Sequence, residues 1–465
     1  MKYCPLLLFR HLNRHEPPRF PMTELHFARY RNDLKFTHYL FRFPAKFHPP
    51  AIRCLIDHYS KAGDTILDPF CGSGTLLVEA LLSGRPALGL DVDPVAVFIS
   101  RVKCTPLPPK TLERAFETLK RDLLKVRRSK RDYDRLIHED LSPASIQRFR
   151  RALGIPRIPH IEHWFRAYVV LDLARLRNAV LAARTPPRFR AFFLACFAGI
   201  IRRASNADPV PVSGLEVTAH MRRLDEQGRR IDPFELFERR VERELVGMRQ
   251  LWECAKHVPV RVQRGDATEL TRQVRARSVD VVITSPPYNT AVDYYRRHML
   301  EMYWLGMVES HEQRLKLAPK YVGRILVRQS NPKLKRTFHS NYIKRLIAHA
   351  GSISAQQQRA ITHYCASMQR ALRHIALVLK PKGAAVLVVG NSKWNGRRIR
   401  ATKLLSEIAQ DYFEVIDILT YPVYNRYMSY ERRNGANVNR EYVLILKQKP
   451  RGRRSGIPTS SMQGD

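Results

Sequence analysis

Residues 284–288 (TSPPY) have the chemical groups needed to bind and orient an aromatic amine. They follow an apolar run, residues 279–283, that is typical of a buried strand. The two prolines stiffen the chain and leave carbonyl oxygens free to accept hydrogen bonds. Ser285 adds a hydroxyl acceptor, and Tyr288 adds a flat face on which a planar ring can stack. These five residues leave an ordinary strand-to-loop transition open as the alternative.

A second segment, residues 68–75 (DPFCGSGT), has the composition of a ligand-binding turn between a strand and a helix. Gly72 and Gly74 let the backbone approach a ligand closely, and the following helix turns its free N–H groups toward it. Asp91 ends the next predicted strand, where a carboxylate can accept both hydroxyls of a ribose. Asp68 suits a cationic group better than a phosphate. These features predict S-adenosylmethionine, whereas a tight turn with a capping aspartate is the alternative.

The acidic and hydroxyl residues fall where predicted strands end. Asp68, Asp91 and Ser285 do so, and Asp266 follows a third strand, where it could accept a hydrogen bond from an adenine amino group. In open α/β sheets, ligands bind at the carboxyl ends of the strands. The agreement predicts one shared site at one edge of a sheet.

The elements that must position these residues form an open α/β sheet. A strand, a Gly-containing turn, a helix over residues 76–83 and a second strand make a βαβ unit, which implies parallel pairing. Residues 106–257 have helical periodicity and form an insertion after the second strand. The seven predicted strands are residues 65–70, 87–92, 260–265, 279–284, 384–390, 413–419 and 441–447.

The same patterns divide the chain into five parts. Residues 1–35 are predicted to be an irregular N-terminal arm, and residues 448–465 a disordered tail. Residues 36–105 form the first part of the catalytic domain, and 258–447 form the second part. Residues 106–257 are the helical insertion between them.

The charge of the chain predicts a polyanionic partner. Its 465 residues contain 81 Lys plus Arg against 42 Asp plus Glu, a formal net charge of +39. Such an excess favours nucleic acid. No apolar run approaches about 18 residues, so no membrane span is expected. The seven cysteines contain no C-x-x-C pair and the histidines lack metal-ligand spacing, so we expect a cytoplasmic protein with no metal site.

In both of these motifs the chain resembles the DNA amino-methyltransferases, which modify N4 of cytosine or N6 of adenine. DPFCGSGT resembles their cofactor loop, and TSPPY resembles their catalytic tetrad with the threonine that precedes it. Residues 43–50 (FPAKFHPP) resemble the segment that helps to hold the methionine part of the cofactor. Residues 378–383 and 439–447 resemble the entry to the fifth strand and the final hairpin strand. The resemblance covers about 36–105 and 258–447.

This resemblance implies a Rossmann-like class I methyltransferase fold, with a seven-stranded, mostly parallel sheet. It implies S-adenosylmethionine as cofactor and double-stranded DNA as partner, with a cognate restriction endonuclease as a further partner if the chain belongs to a restriction–modification pair. The implied catalytic residues are Ser285, Pro286, Pro287 and Tyr288. The implied cofactor-binding residues are Lys46, Phe47, Asp68, Pro69, Phe70, Gly72, Ser73, Gly74, Thr75, Asp91, Asp266 and Thr284.

The tetrad begins with serine, whereas aspartate is typical of the adenine enzymes, and this favours cytosine N4. Adenine N6 methylation, RNA amino-methylation and a nonenzymatic DNA-binding subunit remain alternatives. C5 methylation of cytosine needs a nucleophilic cysteine, generally after a proline, and no cysteine here follows a proline.

DNA contacts are predicted in the second part of the catalytic domain. Residues 307–365 are markedly basic and follow a predicted helix over residues 292–305. Residues 424–440 mix aromatic, arginine and asparagine side chains before the last strand. A solvated basic face and an ordinary exposed loop are the respective alternatives.

Overall fold

Buried parallel strands form the centre of the protein, as seen in a computed structural model. In the central strand Val279–Thr284, every residue except Asp280 is buried, as expected for a strand covered on both faces. The described residues are 23–27, 34–43, 47–138, 140–209, 215–289, 294–324, 326–327, 340–349, 353–394, 397–423 and 439–450. Their strands are β1 (Thr23–Glu24), β2 (Ile66–Asp68), β3 (Ala87–Asp91), β4 (Val260–Arg264), β5 (Val279–Thr284), β6 (Leu379–Gly390), β7 (Ser392–Trp394), β8 (Arg397–Ile399), β9 (Phe413–Pro422) and β10 (Arg440–Gln448).

The main sheet has the order β1-β9-β10-β6-β5-β2-β3-β4. From β2 the chain extends the sheet through β3 to β4, and it then returns to β5 and β6 on the other side of β2. The carboxyl ends of β2 and β5 are therefore neighbours at the point where the strand order reverses. β10 runs antiparallel to both β6 and β9. This arrangement confirms the predicted Rossmann-like α/β fold.

The predicted number of seven strands is wrong by one. The eighth strand, β1, comes from the arm and pairs parallel with β9, at the edge of the sheet. Leu25 N continues this pairing with a 2.8 Å hydrogen bond to Thr420 O. Two residues are too few to show a strand period in the sequence. The open edge of β9 supplies the partner that orders them.

Helices cover both faces of the sheet. Those of the first part and the insertion are α1 (Pro49–Tyr59), α2 (Thr75–Ser83), α3 (Pro94–Lys103), α4 (Pro109–Leu124), α5 (Lys130–His138), α6 (Ala144–Leu153), α7 (Ile161–Trp164), α8 (Ala167–Ala182), α9 (Pro187–Ala204), α10 (Ala219–Glu226) and α11 (Pro233–Cys254). Those of the second part are α12 (Tyr294–Arg297), α13 (Met299–Trp304), α14 (His311–Leu315), α15 (Asn341–Ala348), α16 (Ala355–Val378) and α17 (Ala401–Ala409). None of these described helices is long and apolar enough to cross a bilayer.

The helical insertion packs onto the catalytic half of the molecule. α9 contacts α3 and α13, and the fully buried ring of Trp304 on α13 lies 6.1 Å from that of Phe197 on α9. Phe165, also in the insertion, lies 6.0 Å from the same indole. The predicted helix over residues 292–305 is divided at His298 into α12 and α13. The insertion therefore supports the helices that follow the tetrad.

Candidate active site

Both predicted motifs open onto one cleft at the carboxyl edge of the sheet. Its empty volume, including the part open to solvent, is about 880 Å³. The predicted residues that line it are Phe47, Pro69, Phe70, Gly72, Ser73, Thr75, Asp91, Asp266, Ser285, Pro286, Pro287 and Tyr288. Two segments far apart in sequence thus share one cavity.

The turn at residues 68–75 is held by α3 from behind. The Ser100 hydroxyl donates to Gly72 O at 2.7 Å, and the buried Lys103 ammonium donates to Ser73 O at 2.6 Å. Gly72 and Gly74 have φ values of +48° and +73°, which glycine adopts without steric cost. A Cβ on Gly74 would lie 2.8 Å from Ser100 Oγ, so this glycine permits close packing of α3 and does not line the cleft.

Asp91 organises the other side of the turn. Its two carboxylate oxygens accept 2.9 Å hydrogen bonds, one from Gly72 N and one from Asp93 N. Burial and the neighbouring Asp93 raise the pKa of Asp91 from 3.8 to about 6, although both hydrogen bonds act in the opposite direction. Each oxygen keeps a further lone pair that can accept a ligand hydroxyl.

Asp68 lies behind the cleft and joins the two motifs. It is 1% exposed, and its Oδ1 accepts a 2.6 Å hydrogen bond from the Thr284 hydroxyl and a 3.1 Å bond from Phe70 N. Burial raises its pKa from 3.8 to about 7. Neither Asp68 nor Thr284 lines the cleft. Their contact across the ends of β2 and β5 fixes the tetrad relative to the cofactor turn.

The tetrad is covered by the segment 320–324. Lys320, Tyr321 and Val322 line the cleft opposite the tetrad, and a Cβ on Gly323 would lie 2.7 Å from Tyr288 O. Arginine side chains hold this segment in place, because the guanidinium carbons of Arg314 and Arg324 lie 4.3 and 4.5 Å from the centre of the Tyr295 ring. The segment belongs to the predicted basic stretch 307–365, whose sequence gave no sign of this packing.

Two aromatic side chains complete the cleft, and a buried aspartate–histidine pair lies beside it. Phe43 and Tyr294 line it and stack with ring centres 5.5 Å apart and planes at 22°. His298 Nδ1 lies 2.7 Å from Asp93 Oδ2, and both side chains are buried. Phe43 belongs to the segment 43–50, which the sequence analysis singled out. The pairing of Asp93 with His298, by contrast, depends on tertiary contacts alone.

Asp266 and Cys71 line the cleft and also have local structural roles. Asp266 lines the cleft, but its Oδ1 accepts a 2.8 Å hydrogen bond from Thr268 N, which begins a short 3-10 helix. Burial raises the pKa of the Cys71 thiol well above its ordinary value, so this cysteine is a neutral packing group. Lys46 lies outside the described residues, so its predicted role stays a prediction.

A basic surface lies beyond the carboxyl end of β6. Helix α15 docks there through Tyr342, whose hydroxyl donates to Arg398 O at 3.2 Å and accepts from Arg400 N at 2.9 Å. Glu407 caps the same helix by accepting from Ser340 Oγ and Tyr342 N. Helix α15 and the β7–β8 hairpin that it contacts form a unit that we call the α15–hairpin surface. Its exposed cations are Lys344, Arg345, Arg397, Arg398, Arg400 and Lys403. The predicted basic residues 328–336 and most of the loop 424–440 lie outside the described residues.

Comparison with known proteins finds similarity to methyltransferases. A family model described as DNA methylase, for N6 and N4 methyltransferases, matches residues 19–101. The Type II methyltransferase M.MvaI of Kocuria varians is 24% identical over 403 residues, covering 82% of each chain. The Type II methyltransferase M.MjaII of Methanocaldococcus jannaschii is 35% identical over 69 residues, covering 15% of this chain and 13% of that one. Over most of its length the chain is thus similar to a Type II methyltransferase, and residues 19–101 match a DNA methylase family model.

Two further similarities are to RNA methyltransferases. A tRNA (guanine(10)-N2)-dimethyltransferase of Methanothermobacter thermautotrophicus is 46% identical over 54 residues, 11% of this chain and 16% of that protein. The crystal structure of the rRNA methyltransferase aviRa from Streptomyces viridochromogenes aligns over 88% of each chain, with 11% identity and a TM-score of 0.29.

Proposed function

We propose that the protein transfers a methyl group from S-adenosylmethionine to the exocyclic amine of a DNA base, and that this amine is cytosine N4. The observation that carries the proposal is the shared cleft, in which the turn at 68–75 and the tetrad at 285–288 face the same cavity. The base preference rests on Ser285 at the first tetrad position.

The residues present fit this cofactor. Asp91 offers carboxylate oxygens to the ribose hydroxyls, and the glycine turn presents the start of α2 without side-chain obstruction. Among the described residues that line the cleft, Thr75 has a buried hydroxyl oxygen without a hydrogen-bond partner. Such atoms are costly unless a ligand or water satisfies them. When bound, the cofactor supplies an electrophilic sulfonium methyl group.

The tetrad makes the acceptor amine reactive. The lone pair of an exocyclic amine is delocalised into its ring, which makes the nitrogen a poor nucleophile. Ser285 Oγ and Pro286 O would accept hydrogen bonds from its two N–H groups, pulling the nitrogen toward a tetrahedral shape and localising the pair. No covalent bond between protein and base is needed.

The target base must leave the duplex to reach these groups. Tyr288 would stack against the extruded ring, which recovers part of the lost stacking energy. The α15–hairpin surface lies at the same sheet edge and would contact the phosphates. Similarity to a Type II methyltransferase over most of the chain supports a modification role, with a cognate restriction endonuclease as partner.

The decisive experiment identifies the methylated nucleoside. The protein is incubated with isotope-labelled cofactor and unmethylated DNA of mixed sequence, and the digested product is analysed by mass spectrometry. We expect labelled N4-methylcytosine. N6-methyladenine would overturn the base assignment alone, and transfer to RNA but not DNA would overturn the substrate.

A further inference from the structure

A half-buried carboxylate holds the hydroxyl of the tetrad tyrosine. Glu441 Oε1 accepts a 3.1 Å hydrogen bond from Tyr288 OH, and Glu441 Oε2 accepts a hydrogen bond from Tyr421 OH. The two donors come from different parts of the molecule, since Tyr288 follows β5 and Tyr421 lies on β9. One side chain therefore joins the tetrad to the last strands of the sheet.

The direction of β10 brings Glu441 to this edge. Because β10 is antiparallel to its neighbours, its second residue lies opposite Gly390, the last residue of β6, and opposite Tyr421 near the end of β9. The Glu441 carbonyl also accepts a 3.0 Å hydrogen bond from the Thr420 hydroxyl, which fixes the backbone. The side chain thus reaches the carboxyl edge from a strand that begins there.

The contacts of Glu441 in the described part of the chain are those of a half-buried acid without a cationic partner. Among the described residues, no lysine or arginine forms an ion pair with it, so the two phenol groups are its observed side-chain donors. Burial raises the pKa of Glu441, and the two hydrogen bonds act against this rise. Burial and then Glu441 raise the pKa of Tyr288, while the Ser285 hydroxyl lowers it, so Tyr288 is a neutral donor. Hydrogen bonds to a carboxylate are stronger than those between neutral groups.

Tyr288 is also restrained at its backbone. Gly323 has a φ of +82°, and its Cα approaches the Tyr288 carbonyl so closely that a Cβ would lie 2.7 Å from that oxygen. The same Cβ would lie 3.5 Å from Pro287 Cβ. Tyr288 is thus restrained at its carbonyl by packing and at its hydroxyl by a hydrogen bond.

We propose that Glu441 is a positioning residue for methyl transfer, which orients the Tyr288 ring through its hydroxyl so that the target base stacks with its amine at Ser285 and Pro286. This inference rests on the proposed function. It predicts that Glu441 affects the rate of transfer through Tyr288 and does not contribute to holding the cofactor.

A double-mutant cycle tests the proposal in the full-length protein. Glu441→Leu removes the acceptor and Tyr288→Phe removes the donor, and each should lower kcat by about 10- to 100-fold, as expected when a reacting group loses its orientation. The double variant should be no slower than Tyr288→Phe, because the Glu441 carboxylate acts only through the hydroxyl that this variant already lacks. The Kd for cofactor, measured by calorimetry, should stay within about twofold of the wild-type value.

Two further variants separate positioning from support of the sheet. Tyr421→Phe removes the other hydrogen bond of Glu441 and should leave kcat within about twofold, whereas a purely structural Glu441 would make it as slow as Glu441→Leu. Glu414→Leu, at an exposed acid on the neighbouring strand β9, is the matched control. Multiplicative losses in the double variant, or an unchanged kcat in Glu441→Leu with an active wild type, would overturn the role of Glu441 alone. A wild-type protein that methylates no DNA would overturn the proposed function and this role with it.

Discussion

At the residue scale, the hydroxyl of Ser285 carries the proposed chemistry of the amine. Ser285→Ala removes one acceptor and should lower kcat by about 100- to 1000-fold, comparable to the loss of one preorganised hydrogen bond in other active sites. Because the turn at 68–75 is unchanged, the Kd for cofactor should remain close to the wild-type value. Transfer of labelled methyl groups and calorimetry measure the two quantities.

Ser278 provides the control for this variant. It lies just before β5, at the opposite edge of the sheet, where its hydroxyl donates to Arg275 O at 2.7 Å. Ser278→Ala should therefore keep full activity. If Ser285→Ala lost cofactor binding as well as transfer, the tetrad would be misassigned.

Asp68 gives the stability of the protein a specific pH dependence. Its pKa is about 7 in the fold against 3.8 ordinarily, so the native state holds this proton more tightly than the unfolded chain. The stabilisation is complete below about pH 4 and is lost as the pH rises toward 7, with a magnitude on the order of 4 kcal/mol. Asp68→Asn cannot ionise and should raise the free energy of unfolding above that of the wild type at pH 8.

Urea denaturation at low and high pH measures this effect. At about pH 4 the two proteins should have similar stability, because asparagine can still accept the hydrogen bond of the Thr284 hydroxyl. Asp411→Asn, at an exposed position, should behave like the wild type at both pH values. An Asp68→Asn protein that is less stable than the wild type at pH 8 would contradict the argument.

At the scale of elements, the α15–hairpin surface combines a helix from the predicted basic stretch with a hairpin that the sequence did not single out. Glu407, the acid nearest to it, is already engaged in capping α15. Reversing two exposed charges, Lys344→Glu with Arg345→Glu, should weaken duplex DNA binding about equally for all sequences. The dependence of log K on log salt should become less steep by about 2.

A matched pair of cations at the opposite edge of the sheet is the control for this variant. Lys61 and Arg275 are exposed and precede β2 and β5, so they lie away from the cleft. Lys61→Glu with Arg275→Glu changes the net charge equally and should retain most of the DNA affinity. Equal losses in both variants would indicate a general charge effect and would remove the case for a specific DNA-contacting surface.

At the scale of the whole molecule, the net charge of +39 should make DNA binding strongly dependent on salt. If about 6 to 10 phosphates are contacted, affinity should fall by about 10³-fold or more between 50 and 200 mM salt. Binding titrations with duplex DNA across this range measure the slope. Cofactor affinity should change little over the same range, and a flat DNA profile would contradict phosphate contacts.

The sequence alone determined which chemical groups stand at the ends of the parallel strands. Asp68, Asp91, Asp266 and Ser285 come directly after apolar runs, and parallel strands bring their carboxyl ends to one edge, so pattern and chain direction suffice to group them. The cofactor and the class of reaction follow from these residue types. Their grouping required no knowledge of side-chain contacts.

Only the tertiary structure decided how these groups are held. Glu441 stands at the start of a strand and reaches the same edge because β10 is antiparallel, a direction that the local sequence does not encode. Gly323 and the Asp93–His298 pair are likewise brought to the cleft by packing between distant segments. Strand ends are predictable because hydrophobic periodicity is local, whereas the residues that orient Tyr288 depend on contacts across more than a hundred residues of chain.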